Sequence, residues 1–221
     1  RRSNIDNSDE QLQEQEQEVA RLHAVCVEKA AVLTDMRRKS ATLVEQELSK
    51  LLVPLGIPNV RFKVDVSTAD LSATGADKVM FLFSANTSTD MQPVSQVASG
   101  GEIARVLLSL KAMISKAIGL PTIIFDEIDT GVSGRVAEQM AHIMHDMGAA
   151  NRQVLCITHL PQIAAAGSTH YKVAKHETEQ GTVSTMTQLT DEQRITEIAQ
   201  MLSGSDVSQA AIDNAKSLLA L

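Results

Sequence analysis

From about residue 9 to residue 52 the chain contains no Gly or Pro, and apolar side chains recur at alternating three- and four-residue steps. On a heptad grid, Leu12, Val19, Leu22, Cys26, Leu33, Met36 and Leu43 fall on one seam, interrupted by Gln15, Lys29 and Ser40. A period of about 3.5 residues held this long predicts one long helix with coiled-coil character. The plainer alternative is an amphipathic helix packed on a globular body. A coiled coil needs a second helix, and no other segment carries such a heptad run, so the expected partner lies elsewhere. After Leu43 the apolar positions move to Val44, Leu48, Leu51, Leu52 and Leu55, as if the helix were entering a globular body. Pro54, Gly56 and Pro58 then end it.

Beyond that stop the pattern changes to short elements. Strands are predicted over 61–66 and 78–84, joined by polar links. A helix is expected from about 101 to 118, ended by Gly119 and Pro121. An apolar strand over 121–125, a helix over 132–147 and an apolar strand over 153–157 follow. That order predicts a βαβ unit with two parallel strands. Segments 171–174 and 182–188 read as late strands, a candidate hairpin. Segments 191–202 and 207–219 read as closing helices around Ser203-Gly204-Ser205. The expected organisation is a coiled-coil helix over 1–52 and an α/β body over 53–221.

Composition narrows the picture. The 221 residues are 43% hydrophobic and 21% charged, enough for one sizeable core and unlike a disordered chain. Aromatic residues make up only 2% with no Trp, so the core must be aliphatic and base stacking is not the main business of this surface. The net charge of -7 excludes a generally basic, nucleic-acid-coating surface and leaves room only for a local basic patch. Cys26 and Cys156 are far apart and read as reduced thiols of a cytoplasmic protein, with Cys156 in a strand expected to be buried. No run approaches the ~18 apolar residues of a membrane span, and no signal peptide is visible. The start, Arg1-Arg2-Ser3-Asn4, lacks Met and looks like a cut end.

Three short stretches carry chemistry. The strand ending in Ile124-Phe125 delivers two adjacent carboxylates, Asp126 and Glu127, at the strand end where parallel α/β sheets bind ligands. One can hold Mg²⁺, and the next can orient or deprotonate a water. An acidic turn with no ligand is the simpler reading. In Ser99-Gly100-Gly101-Glu102 the glycines allow close backbone approach, and the following helix aims its N–H groups at an anion. Ser99 and Glu102 also have the spacing of a capping box, which needs no ligand. Thr158-His159 follows a strand expected to run parallel to the first, so His159 should open on the same edge as Asp126 and Glu127.

Taken together, the order and spacing resemble the ATP-binding cassette ATPases. Ser99 to Glu102 is similar to the signature motif, residues 122–127 to Walker B, residues 129–134 (Asp-Thr-Gly-Val-Ser-Gly) to a D-loop, and His159 to the switch histidine. Glu102 in the signature and the long leading helix resemble the SMC-like branch more than transporter subunits. Residues 126–134 and 158–164 resemble the RecN family of bacterial DNA repair proteins, and Asn7-Ser8-Asp9-Glu10 resembles a segment of its returning coiled-coil helix.

The resemblance implies an α/β fold, the C-terminal lobe of an ABC/SMC-type P-loop ATPase head with parallel strands and flanking helices, preceded by a coiled-coil helix. It implies ATP and Mg²⁺ as ligands. Asp126 would position the metal, Glu127 would act on the attacking water, and His159 would sense the γ-phosphate. Ser99, Gly100, Gly101 and Glu102 would meet the nucleotide held by a second head, and Asp129 and Ser133 would contact nucleotide from the segment that crosses between heads. It implies ATP-sandwiched homodimers, DNA as partner, and a role in double-strand break repair and recombination at the cytoplasmic nucleoid, with no membrane.

The eleven glycines include none followed by Lys, so the P-loop pattern G-x-x-x-x-G-K-[ST] is absent. In the family that loop lies in an N-terminal lobe. The implied partner is therefore that lobe of the same protein, and the chain alone is expected to be inactive. A transporter nucleotide-binding subunit and a non-catalytic head-like interaction module are the competing functions. Arg105 reads as a surface salt-bridge former or a weaker phosphate or partner contact, and His142 and His145 as solvent-facing. Lys172, Lys175 and His176 could meet DNA phosphates, though a solvated strand end is the plainer reading.

Overall fold

A computed structural model describes residues 2–96, 100–149, 152–178 and 181–220, with the side chains of the first helix described from residue 11. The chain divides into two compact units, residues 1–49 with 60–96, and residues 50–59 with 97–221.

The first unit is built on α1 (Arg2–Leu52), unbroken as the lack of Gly and Pro allows. Most of the heptad seam lies open: Leu12, Val19, Leu22, Met36 and Leu43 are exposed, while Leu33 is half-buried. Ala30, Ala41 and Leu48 are buried instead. A hairpin of β1 (Arg61–Ser72) and β2 (Gly75–Ser84) pairs antiparallel, with β3 (Gln92–Pro93) added beyond β2. β1 runs further than its apolar alternation suggests, because the polar stretch to Ser72 completes the hairpin. Gly75 takes φ 103° at its tip, and a Cβ there would lie 2.9 Å from Leu33. Polar side chains fasten the helix to the hairpin. Asp77 accepts from the Thr34 hydroxyl at 2.8 Å and pairs with Arg37 at 3.0 Å. Glu45 accepts from the Val64 amide at 2.8 Å.

The second unit contains the expected βαβ. α2 (Gly100–Ile118) leads to β4 (Thr122–Asp126), then α3 (Gly134–Ala149) and β5 (Gln153–Ile157). β4 and β5 are parallel, with Thr122 opposite Gln153 and Asp126 opposite Ile157. Ile123 and Phe125 point into the core with Ala104, Val106, Leu108, Ala137, Met140 and Met144. Lys111 of α2 lies over the Phe125 ring at 5.0 Å. The other face of the pair differs from the sequence expectation of buried strands. Ile124, Leu155 and Ile157 are exposed, where parallel sheets are ordinarily covered on both faces.

A short α4 (Pro161–Ala166) follows β5, starting on Pro161. Next come the hairpin β6 (Tyr171–Thr178) and β7 (Gly181–Gln188), then α5 (Asp191–Ser203) and α6 (Gln209–Leu219). Thr190 and Gln193 cap α5 reciprocally. Ala165, Ile198, Ala199, Ala211 and Ala215 join α4, α5 and α6 in a small core. Among the described residues no helix is long and apolar enough to cross a membrane.

Candidate functional site

The in-register parallel pair fixes the site. Because Asp126 lies opposite Ile157, the segments leaving β4 and β5 emerge on one edge. Asp126 and Glu127 are exposed there, as is His159. Glu127 has φ 49°, the one non-glycine positive φ among the described residues. Such a conformation costs about 1–3 kcal/mol and persists where the surroundings impose it. Here the Glu127 carbonyl accepts from the Thr130 amide at 3.4 Å and from the Thr130 hydroxyl at 3.0 Å, closing a turn.

Asp129 is a nucleotide-contact candidate by the resemblance. It is fully buried. Its Oδ2 accepts from the Thr158 hydroxyl and, at 3.3 Å, from the His159 backbone amide. The His159 Nδ1 stands 3.5 Å from the same oxygen. Thr158 in turn accepts from the Leu160 amide at 3.0 Å. Asp129 thus ties the loop after β4 to the loop after β5, and its Oδ1 is buried without a hydrogen-bond partner. Burial first, and the nearby Asp129 charge second, push the Cys156 thiol up to about 11.

Ser99, the candidate signature and capping residue, lies outside the described residues. Gly100 opens α2 and is exposed, with nothing within 4 Å of where a Cβ would stand. Gly101 is crowded: a Cβ there would meet the Gly131 carbonyl oxygen at 3.1 Å and that of Thr130 at 3.5 Å. Glu102 is half-buried, and Ser133 is exposed just before α3.

Arg105 is part of the framework. Its guanidinium donates to the Gly101 carbonyl at 2.9 Å and to the Leu55 carbonyl at 2.8 Å, joining the chain leaving α1 to the first turn of α2. Lys172 is not a free strand-end cation, because it pairs with Glu197. Lys175, His176, His142 and His145 are exposed. Thr130 and Thr158 stand outside the residues singled out as site candidates. The only signal for them is a hydroxyl beside a functional motif, which becomes specific once the loops are in place.

Adjacent carboxylates are hard oxygen donors, which suits Mg²⁺, an ion that takes one or two carboxylates along with waters and substrate phosphates. Among the described residues no group of three or more His, Cys, Asp or Glu is placed to hold a metal.

The fold is that of SMC heads. It superposes on the Smc head domain with coiled coil and joint from Pyrococcus yayanosii with TM-score 0.59 at 19% identity, covering 76% of this chain and 30% of that one. A structure described under ATP-driven dimerization and DNA stimulated activation of SMC ATPases gives 0.54 at 17% identity, over 78% of this chain and 99% of that one. This class, the C-terminal part of an SMC-type head, narrows further by sequence. The chain is 36% identical over 217 residues to DNA repair protein RecN of Vibrio cholerae, covering 97% of this chain and 39% of that protein. With RecN of Deinococcus radiodurans it shares 38% over 208 residues, 92% of this chain and 36% of that protein. The chain belongs to the RecN family and corresponds to the C-terminal portion of its members. It spans between a third and two fifths of the length of the curated relatives it matches. No protein-family model matches the chain.

Proposed function

We propose that this chain supplies the C-terminal part of an SMC-like ATPase head that acts in DNA double-strand break repair and recombination, in the cytoplasm at the nucleoid. Residues 1–52 are read as the returning strand of a coiled coil and residues 53–221 as the lobe. The observation that carries the reading is the shared edge of β4 and β5, where Asp126 and Glu127 emerge and Asp129 binds the segment bearing His159. The open heptad seam of α1 and the uncovered face at Ile124, Leu155 and Ile157 support partners supplied from outside the chain, namely the second coil helix and the P-loop lobe.

In this reading ATP is held by the P-loop of the N-terminal lobe, and the chain acts on it. Asp126 is the Mg²⁺ ligand. The ion, when bound, neutralises charge on the transferring phosphoryl group. Glu127 orients and deprotonates the attacking water, and His159 binds the terminal phosphate edge. Asp129 holds the His159 backbone. Ser99, Gly100, Gly101 and Glu102 face the nucleotide of a second head, with Ser133 in the segment between heads. Two such heads sandwich two nucleotides, and turnover parts them and changes the grip on DNA.

The test is Glu127→Gln in a protein that joins this chain to its P-loop lobe. ATP hydrolysis should fall by about 10²-fold or more while ATP-dependent head association persists. Unchanged hydrolysis would sink the reading.

A further inference from the structure

The signature glycines and the carboxylate pair belong, on the reading above, to two different nucleotides, yet the structure joins them by a short run of backbone. Gly101 sits in the first turn of α2. The Gly131 carbonyl oxygen lies 3.1 Å from where a Gly101 Cβ would stand, and the Thr130 carbonyl oxygen 3.5 Å. Gly131 is itself held at φ 72°, where a Cβ would stand 3.7 Å from the Gly101 backbone. Gly101 leaves room for this approach, and Gly131 supplies its left-handed conformation. The contact does not stop at Gly131. The preceding residue, Thr130, donates through both its amide and its hydroxyl to the Glu127 carbonyl. Glu127 is also the residue held in the left-handed region.

We propose that Thr130 is a positioning residue for Glu127, and that Gly101 sets Thr130 by carrying the 130–131 backbone on the first turn of α2. The orientation of the Glu127 carboxylate then depends on where the signature end of α2 stands. This rests on the ATPase reading. Gly100 has no neighbour within 4 Å of its Cβ position, whereas the Cβ side of Gly101 is closed onto the loop. Thr130 is exposed, so its role is not that of a packing residue.

Two measurements test it. On this chain, amide NMR spectra of Gly101→Ala, Thr130→Ala and Thr130→Ser are compared with the parent, with the amides of Ile198 and Ala215 reporting an intact fold. The Glu127 amide should move in Gly101→Ala and Thr130→Ala and stay near its parent position in Thr130→Ser. In the protein carrying the P-loop lobe, Thr130→Ala should lower kcat about tenfold with KM for ATP unchanged, and Thr130→Ser should restore it. A Glu127 amide unmoved by Gly101→Ala overturns the relay whatever the turnover, as does Thr130→Ser turning over as slowly as Thr130→Ala. If the amide moves but Glu127→Gln still hydrolyses ATP, the assignment of Glu127 falls instead, and the relay's catalytic meaning with it.

Discussion

Cys156 and Cys26 differ in ways that chemistry can read. Cys26 is exposed on α1, whereas Cys156 is partly buried in β5 with its thiol pushed up to about 11, by burial and then by the Asp129 charge. The thiolate is the reactive form, so Cys156 stays inert near neutrality. Brief alkylation at about pH 8, near the ordinary thiol range, followed by mass spectrometry should find Cys26 modified and Cys156 not. Equal labelling would contradict the placement of Cys156. The raised value also stabilises the folded chain fully below the ordinary thiol range. That contribution is lost as the pH climbs through about 11. At this scale the sequence marks Asp126, Glu127, Gly100, Gly101 and His159 as candidates by type and spacing, and Asp129 by resemblance. It does not reveal that Asp129 is buried, because acidic residues are mostly exposed and only the folded positions of Thr158 and the His159 amide explain its burial.

The attachment of the hairpin to α1 rests on Asp77. Burial pushes its carboxyl up, but the Thr34 hydroxyl and the Arg37 guanidinium outweigh that and hold it below the ordinary carboxylate range. A depressed carboxylate stabilises fully above its unfolded value and ceases to do so as the pH falls through its folded value. Thermal melts of the chain should therefore show a Tm that drops below about pH 4, with Asp77→Asn lowering the Tm at neutral pH and flattening that acid dependence. A variant that melts like the parent at every pH would remove Asp77 from the account. Most elements were legible: the 51-residue α1 follows from its lack of breakers, and β4, α3 and β5 from an apolar–amphipathic–apolar order. α4 was not, because six residues show too little periodicity, and Pro161 marks its start without revealing its length. The continuation of β1 to Ser72 was hidden because its polar residues are exposed and the hairpin register, not burial, makes them a strand.

At the scale of the whole molecule, the proposed function gives this chain two half-sites. On that proposal the carboxylates at the β4 edge act with a P-loop, and Gly100 at the start of α2 meets a nucleotide held elsewhere. The central claim is that the signature stretch serves one nucleotide and Glu127 another. Mixed dimers test it directly. Two variants of the protein with its P-loop lobe, Ser99→Arg and Glu127→Gln, should each be nearly inactive as homodimers. In a mixed dimer the Ser99→Arg head keeps its Glu127 and borrows an intact signature from its partner, so one of its two sites is whole. Mixing equal amounts should restore about a quarter of parent hydrolysis, since random pairing makes half the dimers mixed and each has one working site. No recovery on mixing, with mixed dimers shown to form, would mean that both motifs serve the same nucleotide and would contradict the account.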